Sequence, residues 1–169
     1  MFFLIMLEPY RVKRITAFLN NSVDPLGIGY HNNQALLAIG SGGWFGYGYG
    51  HSRQKYSYLP EAINDSIFAI MAEELGFIRV FLILALFGWF ILRGIRISLR
   101  APDIFGKLLA VGIIGMIGSA VIVNVSAITG LLPLTGIPLP FFSYGSSAMI
   151  VTLAGCGILL NISRQSKHA

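Results

Sequence analysis

Residues 108–163 contain no Asp, Glu, Lys, Arg or His, a run of 56 residues, whereas a membrane-spanning helix needs roughly 20. Two spans and a linker fit inside it. The pattern predicts the first over residues 108–128, rich in Ile, Val and Gly. It predicts the second over 144–162, where Gly145, Ala148, Ala154, Gly155 and Gly157 suit close helix packing. The intervening GLLPLTGIPLPFFS holds three prolines, which break any helix. A third apolar stretch, residues 75–92, predicts a span with Arg79 near its start and Trp89 near its far end, a residue suited to the membrane interface. Residues 1–7 are also apolar but too few to cross a bilayer. With no basic region ahead of them and Glu8-Pro9 behind, they do not resemble a signal peptide. Residues 1–9 are therefore expected to be the end of a truncated transmembrane helix, the alternative being a short interfacial anchor on a complete protein.

Composition supports a membrane setting. Hydrophobic residues make up 55% of the 169 and charged residues 11%, with a mean hydropathy of +0.73, whereas a soluble domain carries about a quarter charged residues. A water-soluble globule is thereby disfavoured. The net charge of +5 invites a nucleic-acid reading, but the placement of the charges argues against it. Arg93, Arg96, Arg100 and Lys107 lie between the first and second complete spans, and Arg164 and Lys167 follow the last. By the positive-inside rule, residues 93–107 and 163–169 face the cytoplasm, so 10–74 and 129–143 share the outer face. Arg11, Lys13, Arg14, Arg53 and Lys55 then sit outside, in a loop near the length at which the rule stops counting. Lone Cys156 can form no disulfide within the chain and reads as a packing residue. The expected fold is an all-α polytopic membrane protein: three complete transmembrane helices plus a partial N-terminal one, with a large extracytoplasmic loop containing short helices.

Chemistry is expected in that outer loop. Residues 11–19 predict a short basic amphipathic helix on the membrane surface, Asp24-Pro25 a turn, and residues 33–39 another short helix. GSGGWFGYGYG then sets six glycines among four aromatics in 11 residues, followed by Ser52, Arg53, Gln54 and Lys55. One reading is a phosphate nest, with backbone N–H groups, Arg53 and Lys55 suited to a pyrophosphate. The other is a tight loop whose Trp44, Phe45, Tyr47 and Tyr49 rest in the headgroup belt. The glycine spacing matches neither the dinucleotide fingerprint nor the P-loop. Next comes YLPEAINDSIFAIMAEELG. Pro60 fits a first helical position, and Glu61 and Asp65, four residues apart, share one helical face. Carboxylates this close raise each other's pKa, so one can serve as a general base near neutral pH. The competing reading is a solvated acidic first turn, with Glu73 and Glu74 closing the loop before the span.

The run from Asp24 to Gly76, followed by TGLLPLTGIPLPFFSYGSS and GILLNISR, resembles the C-terminal part of the SEDS family (shape, elongation, division and sporulation; FtsW/RodA type) and leans toward its division branch. The resemblance is collinear from about Pro9 to Arg164, with QK-x-x-YLPE, AEELG, TGIPLPF and SYG in order. It implies roughly the last two fifths of a ten-span protein of the bacterial cytoplasmic membrane that polymerises lipid II into peptidoglycan glycan strands. Implied partners are lipid II, a class B penicillin-binding protein transpeptidase, other divisome or elongasome membrane proteins and membrane lipids, with no nucleic acid. The family's essential acidic residue after YLPE falls on Asp65, which would deprotonate the acceptor hydroxyl. The chain departs from the family pattern at Tyr30-His31, at Asn64 and Ser66 around Asp65, and at Ser146, where SYGGSS reads SYGSS.

On this reading the transfer is inverting, and either metal-independent or assisted by a divalent cation such as Mg or Mn. Asp65 is the base, and Glu61 tunes it or helps order the cation. Arg53 and Lys55, with Gln54 between them, balance charge on the departing pyrophosphate. Arg11, Lys13 and Arg14 lie near lipid headgroups. Ser143, Thr135 and the Pro-rich linker shape a lipid-facing groove, or serve only as scaffold. Two other classes also fit a polar outer site on several spans: a lipid-linked precursor transporter, and a non-catalytic assembly scaffold.

Overall fold

A computed structural model of the chain describes residues 28–51 and 66–165, with side chains described from Asn33 onward in the first of these segments. The described residues form four helices: α1 (Ile28–Ser41), α2 (Ile67–Leu99), α3 (Ile104–Ile128) and α4 (Ser146–Gln165). Three of them, α2 to α4, are long and apolar enough to cross a membrane. The expected end of a truncated span, the basic helix over 11–19 and the turn at Asp24-Pro25 lie outside the described residues.

The limits of α3 have a local cause at both ends. Asp103 caps α3, its Oδ2 accepting from the Gly106 amide at 2.7 Å, which satisfies a first-turn donor with no helical partner. At the other end, Gly130 adopts φ 75°. The Gly130 amide reaches the Ala127 carbonyl and the Leu131 amide the Ser126 carbonyl, the paired bonds of a Schellman stop. The helix α2 is longer than the apolar pattern indicates. It begins at Ile67 because the polar pair Glu73-Glu74 is carried inside the helix, where charge patterning alone places a loop. It is interrupted at Gly76 (φ 76°, ψ 174°). The expected short helix over 33–39 extends to Ile28 at one end and Ser41 at the other.

Burial divides into two cores. One gathers Ala35 and Ala38 of α1, residues 68–72 and Val80 of α2, Val121 and Ile128 of α3, and Leu139 of the Pro-rich segment. The other joins Ala110, Ile113, Ile114 and Ile117 of α3 to Leu159 and Ile162 of α4. Glycines let the helices approach: a Cβ on Gly94 of α2 would come within 2.6 Å of Ile114, and one on Gly155 of α4 within 3.0 Å of Ile113. Large apolar side chains on the outside, among them Phe81, Leu86 and Leu160, are more than half exposed. An apolar surface of this extent marks a membrane-facing or protein-packing face.

Candidate functional site

The glycine-rich loop after α1 sits directly on the break in α2. In an unbroken helix the Phe77 amide would bond the Glu73 carbonyl, and Ile78 that of Glu74. Here the loop takes both sets. The Tyr47 amide donates to the Glu73 carbonyl at 3.1 Å and Gly48 to the Glu74 carbonyl at 3.0 Å. In return the Phe77 amide donates to the Gly43 carbonyl at 2.9 Å and Ile78 to that of Trp44 at 3.3 Å. Four backbone groups that a helix break would leave unpaired are thus satisfied, as an apolar environment demands. The Arg79 guanidinium adds a bond from Nη1 to the Phe45 carbonyl at 3.2 Å.

This arrangement gives the glycines of GSGGWFGYGYG a structural role of their own. The amides of Tyr47 and Gly48 are committed to α2 and do not cradle an anion. The glycines serve close backbone approach: a Cβ on Gly42 would strike the Ala72 carbonyl, and one on Gly46 the backbone of Glu74 and Gly76. The aromatics point outward. Trp44 is 67% exposed and Tyr49 89%, and the Trp44 ring meets Phe77 edge-on at a centroid distance of 5.5 Å. Exposed aromatic rings over an apolar helix are what a headgroup belt accommodates.

Beneath the loop, Glu73 is 1% exposed and Glu74 6%, and Glu74 Oε1 has no hydrogen-bond partner among the described residues. The solvated-turn reading of this stretch makes both of them loop closure. Two adjacent carboxylates entering an apolar stretch were a signal for a functional interior position, because such groups are costly in a membrane.

The Pro-rich segment forms a second feature. Asn124 of α3, 2% exposed, donates from Nδ2 to the Ile137 carbonyl at 2.8 Å and pins the segment to the helix. Ser143 closes a turn: its Oγ accepts from the Leu139 amide at 2.7 Å, and its own amide donates to the Leu139 carbonyl at 3.0 Å. Phe141 within this turn takes φ 68°, a rare conformation for a side-chain-bearing residue. A groove of about 300 Å³ opens between this segment, α3 and α4, lined by Met116, Ile117, Pro138, Ser143, Ser147 and Thr152 among others. Ser143 faces it. Thr135 is exposed and is not among its lining residues.

Asp65, Glu61, Arg53, Gln54 and Lys55 lie outside the described residues. Asp65 immediately precedes Ser66 in sequence. Ser66 is fully buried at the start of α2, and its carbonyl accepts from the amides of Ala69 and Ile70. Among the described residues no group of three or more His, Cys, Asp or Glu comes together to hold a metal ion.

Three helices long and apolar enough to cross a membrane, the last two linked by a pinned Pro-rich segment, define a multi-pass membrane protein. The chain belongs to the FtsW/RodA/SpoVE family of cell cycle proteins, whose model matches residues 1–168. It is 54% identical to the stage V sporulation protein E of Bacillus subtilis over 98% of this chain and 45% of that protein. It is 47% identical to the probable peptidoglycan glycosyltransferase FtsW of Geobacter metallireducens over 99% of this chain and 44% of that protein. Among solved structures it is similar to a chain from work on structural coordination of polymerization and crosslinking by a peptidoglycan synthase complex. There the TM-score is 0.74 at 33% identity, over 95% of this chain and 43% of that one. A crystal structure of an Asp-to-Ala mutant of the Thermus thermophilus rod shape determining protein RodA gives a TM-score of 0.59 at 38% identity, over 78% and 40% of the two chains. The chain thus spans less than half the length of these relatives.

Proposed function

We propose that this chain is part of a peptidoglycan glycosyltransferase that polymerises lipid II into glycan strands during bacterial cell division or elongation. The observation that carries this reading is the 47% identity, over nearly the whole chain, to a relative named for that activity. The retained YLPE motif with Asp65 four residues beyond its Glu supports it. In this reading residues 10–74 and 129–143 are extracytoplasmic and the protein is inserted in the bacterial cytoplasmic membrane.

Asp65 takes the proton from the acceptor sugar's hydroxyl as that oxygen bonds to the anomeric carbon of the lipid-linked donor. The bond from that carbon to the polyprenyl pyrophosphate breaks with inversion. Arg53 and Lys55 offset the charge that develops on the departing pyrophosphate, while Glu61 tunes the base and Gln54 contributes to substrate binding. The aromatic loop on the α2 break holds the entry of the span rigid, which is the support a positioned base needs. A class B penicillin-binding protein is the transpeptidase partner.

The test is glycan polymerisation from purified lipid II by the full-length protein with its transpeptidase. Asp65→Ala is expected to lower the rate at least about 100-fold, in the range of lost general-base catalysis. Undiminished product would sink the proposal. Absence of polymer from wild type, together with slower flipping in vesicles by Asp65→Asn, would assign a transporter instead.

A further inference from the structure

The corner between α2 and α3 carries Arg93, Arg96, Arg100 and Lys107, all exposed. The three arginines are spaced i, i+3 and i+7, which sets them along one face of the helix end. Among the described residues none of the four has an ion-pair partner. Asp103, the acidic residue of this corner, has one carboxylate oxygen engaged in capping α3 at Gly106.

The corner is rigid. Ser98, 2% exposed, donates from Oγ to the Lys107 carbonyl at 3.1 Å and ties the end of α2 to the start of α3. The Arg100 amide bonds the carbonyls of Arg96 and Ile97, and the Ala101 amide that of Ser98. Close contact at Gly94 and Ile114 fixes the helix pair one turn further in. The Arg93 guanidinium lies over the Trp89 ring, 5.7 Å from its centroid, so the stem of the cation runs along the apolar helix while its head reaches the polar zone.

Beside these cations stand large apolar side chains that water would not favour: Leu99 is 67% exposed, Ile104 78% and Phe105 74%. A surface combining fixed cations with protruding apolar groups matches the boundary between lipid headgroups and acyl chains. It fits neither a nucleic acid nor an acidic soluble protein, which would leave Ile104 and Phe105 without apolar cover. We propose that the α2–α3 corner is a binding surface for anionic phospholipid, its arginines gripping the headgroup phosphate while Leu99, Ile104 and Phe105 sit among the acyl chains.

The test uses the full-length protein, titrated with phosphatidylglycerol or phosphatidylcholine at constant ionic strength, with retained lipid counted by native mass spectrometry. Wild type is expected to retain phosphatidylglycerol in preference, and the preference should weaken as salt is raised. The triple variant Arg93→Gln, Arg96→Gln, Arg100→Gln is expected to lose about tenfold or more of that preference, since each cation near an anionic surface contributes measurably. The matching triple Lys variant, which keeps the charge, should retain most of it and controls for misfolding. Equal retention of the two lipids by wild type, a salt-independent preference, or an unchanged preference in the Gln variant would each overturn the proposal.

Discussion

Gly46 and Gly76 touch backbone to backbone, so that a Cβ on Gly46 would fall 2.6 Å from the Gly76 amide nitrogen. Both also hold positive φ, 74° and 76°. The loop and the helix break therefore require each other: the break exposes the carbonyls that the loop amides occupy, and only glycine lets the two chains meet.

Replacing Gly76 with Ala should accordingly be among the most damaging single changes in the described residues. The backbone at φ 76°, ψ 174°, a region essentially restricted to glycine, alone disfavours a side chain by about 1–3 kcal/mol, and overlap with the Phe45 carbonyl carbon, 2.5 Å from the added Cβ, forces the loop off. A loss of at least about 2 kcal/mol is expected, read as a lower melting temperature of the detergent-solubilised full-length protein and faster amide exchange at Tyr47 and Gly48. Gly88, helical and facing open space, is the control. Gly88→Ala should leave stability unchanged or raise it by up to ~1 kcal/mol, and equal losses at the two glycines would contradict this account.

The hold of α3 on the Pro-rich segment rests on Asn124. Asn124→Leu keeps the approximate size but removes the Nδ2 donor to the Ile137 carbonyl, leaving that carbonyl unmatched at a cost of about 1–3 kcal/mol. Loosening should be local. Proteolysis or cysteine labelling of residues 131–143 should accelerate while the exchange of α2 amides stays at the wild-type rate; acceleration in both would show that the asparagine supports the whole bundle.

The membrane architecture was legible because its signal is one of length: 56 residues without a charge permit little besides spans and a break. The limits of α2 were not, because hydropathy reads Glu73 and Glu74 as a boundary, whereas the helix carries both into its core at 1% and 6% exposure. The glycine loop defeats local reasoning for a different reason. Six glycines announce close approach, but whether the approaching group is a phosphate or a neighbouring backbone depends on partners 26 residues away in sequence, Glu73 for Tyr47 and Glu74 for Gly48. Of the candidate site, Ser143 is on the groove and Thr135 is not. Ser143 is held there by the turn around Phe141, whose positive φ no residue preference foretells.

At the start of α3, Asp103 and Gly106 form a coupled cap. Asp103→Ala should cost about 0.5–2 kcal/mol, the usual loss of an N-cap, and Asp103→Asn much less. Gly106→Ala brings a Cβ to 2.9 Å from Asp103 Oδ1 and disturbs the same bond. The double variant Asp103→Ala, Gly106→Ala should then be less destabilised than the sum of the singles, because the clash disappears with the carboxylate. Chemical denaturation of the four proteins measures the coupling, and strict additivity would rule the cap out.

Ser143 allows the groove and the turn to be separated. Its Oγ already accepts from the Leu139 amide at 2.7 Å, and Leu139 is 2% exposed, so the hydroxyl holds a buried donor that nothing else replaces. Ser143→Ala should lower stability by about 1–3 kcal/mol, the cost of an unmatched buried amide. In the polymerisation assay of the full-length protein, KM for lipid II should stay within about twofold of wild type, since a twofold change corresponds to only ~0.4 kcal/mol of binding. Ser143→Thr, which keeps the oxygen, should recover part of the lost melting temperature. The opposite pattern, a raised KM with an unchanged melting temperature in Ser143→Ala, would move the hydroxyl from the scaffold of the turn to the substrate in the groove.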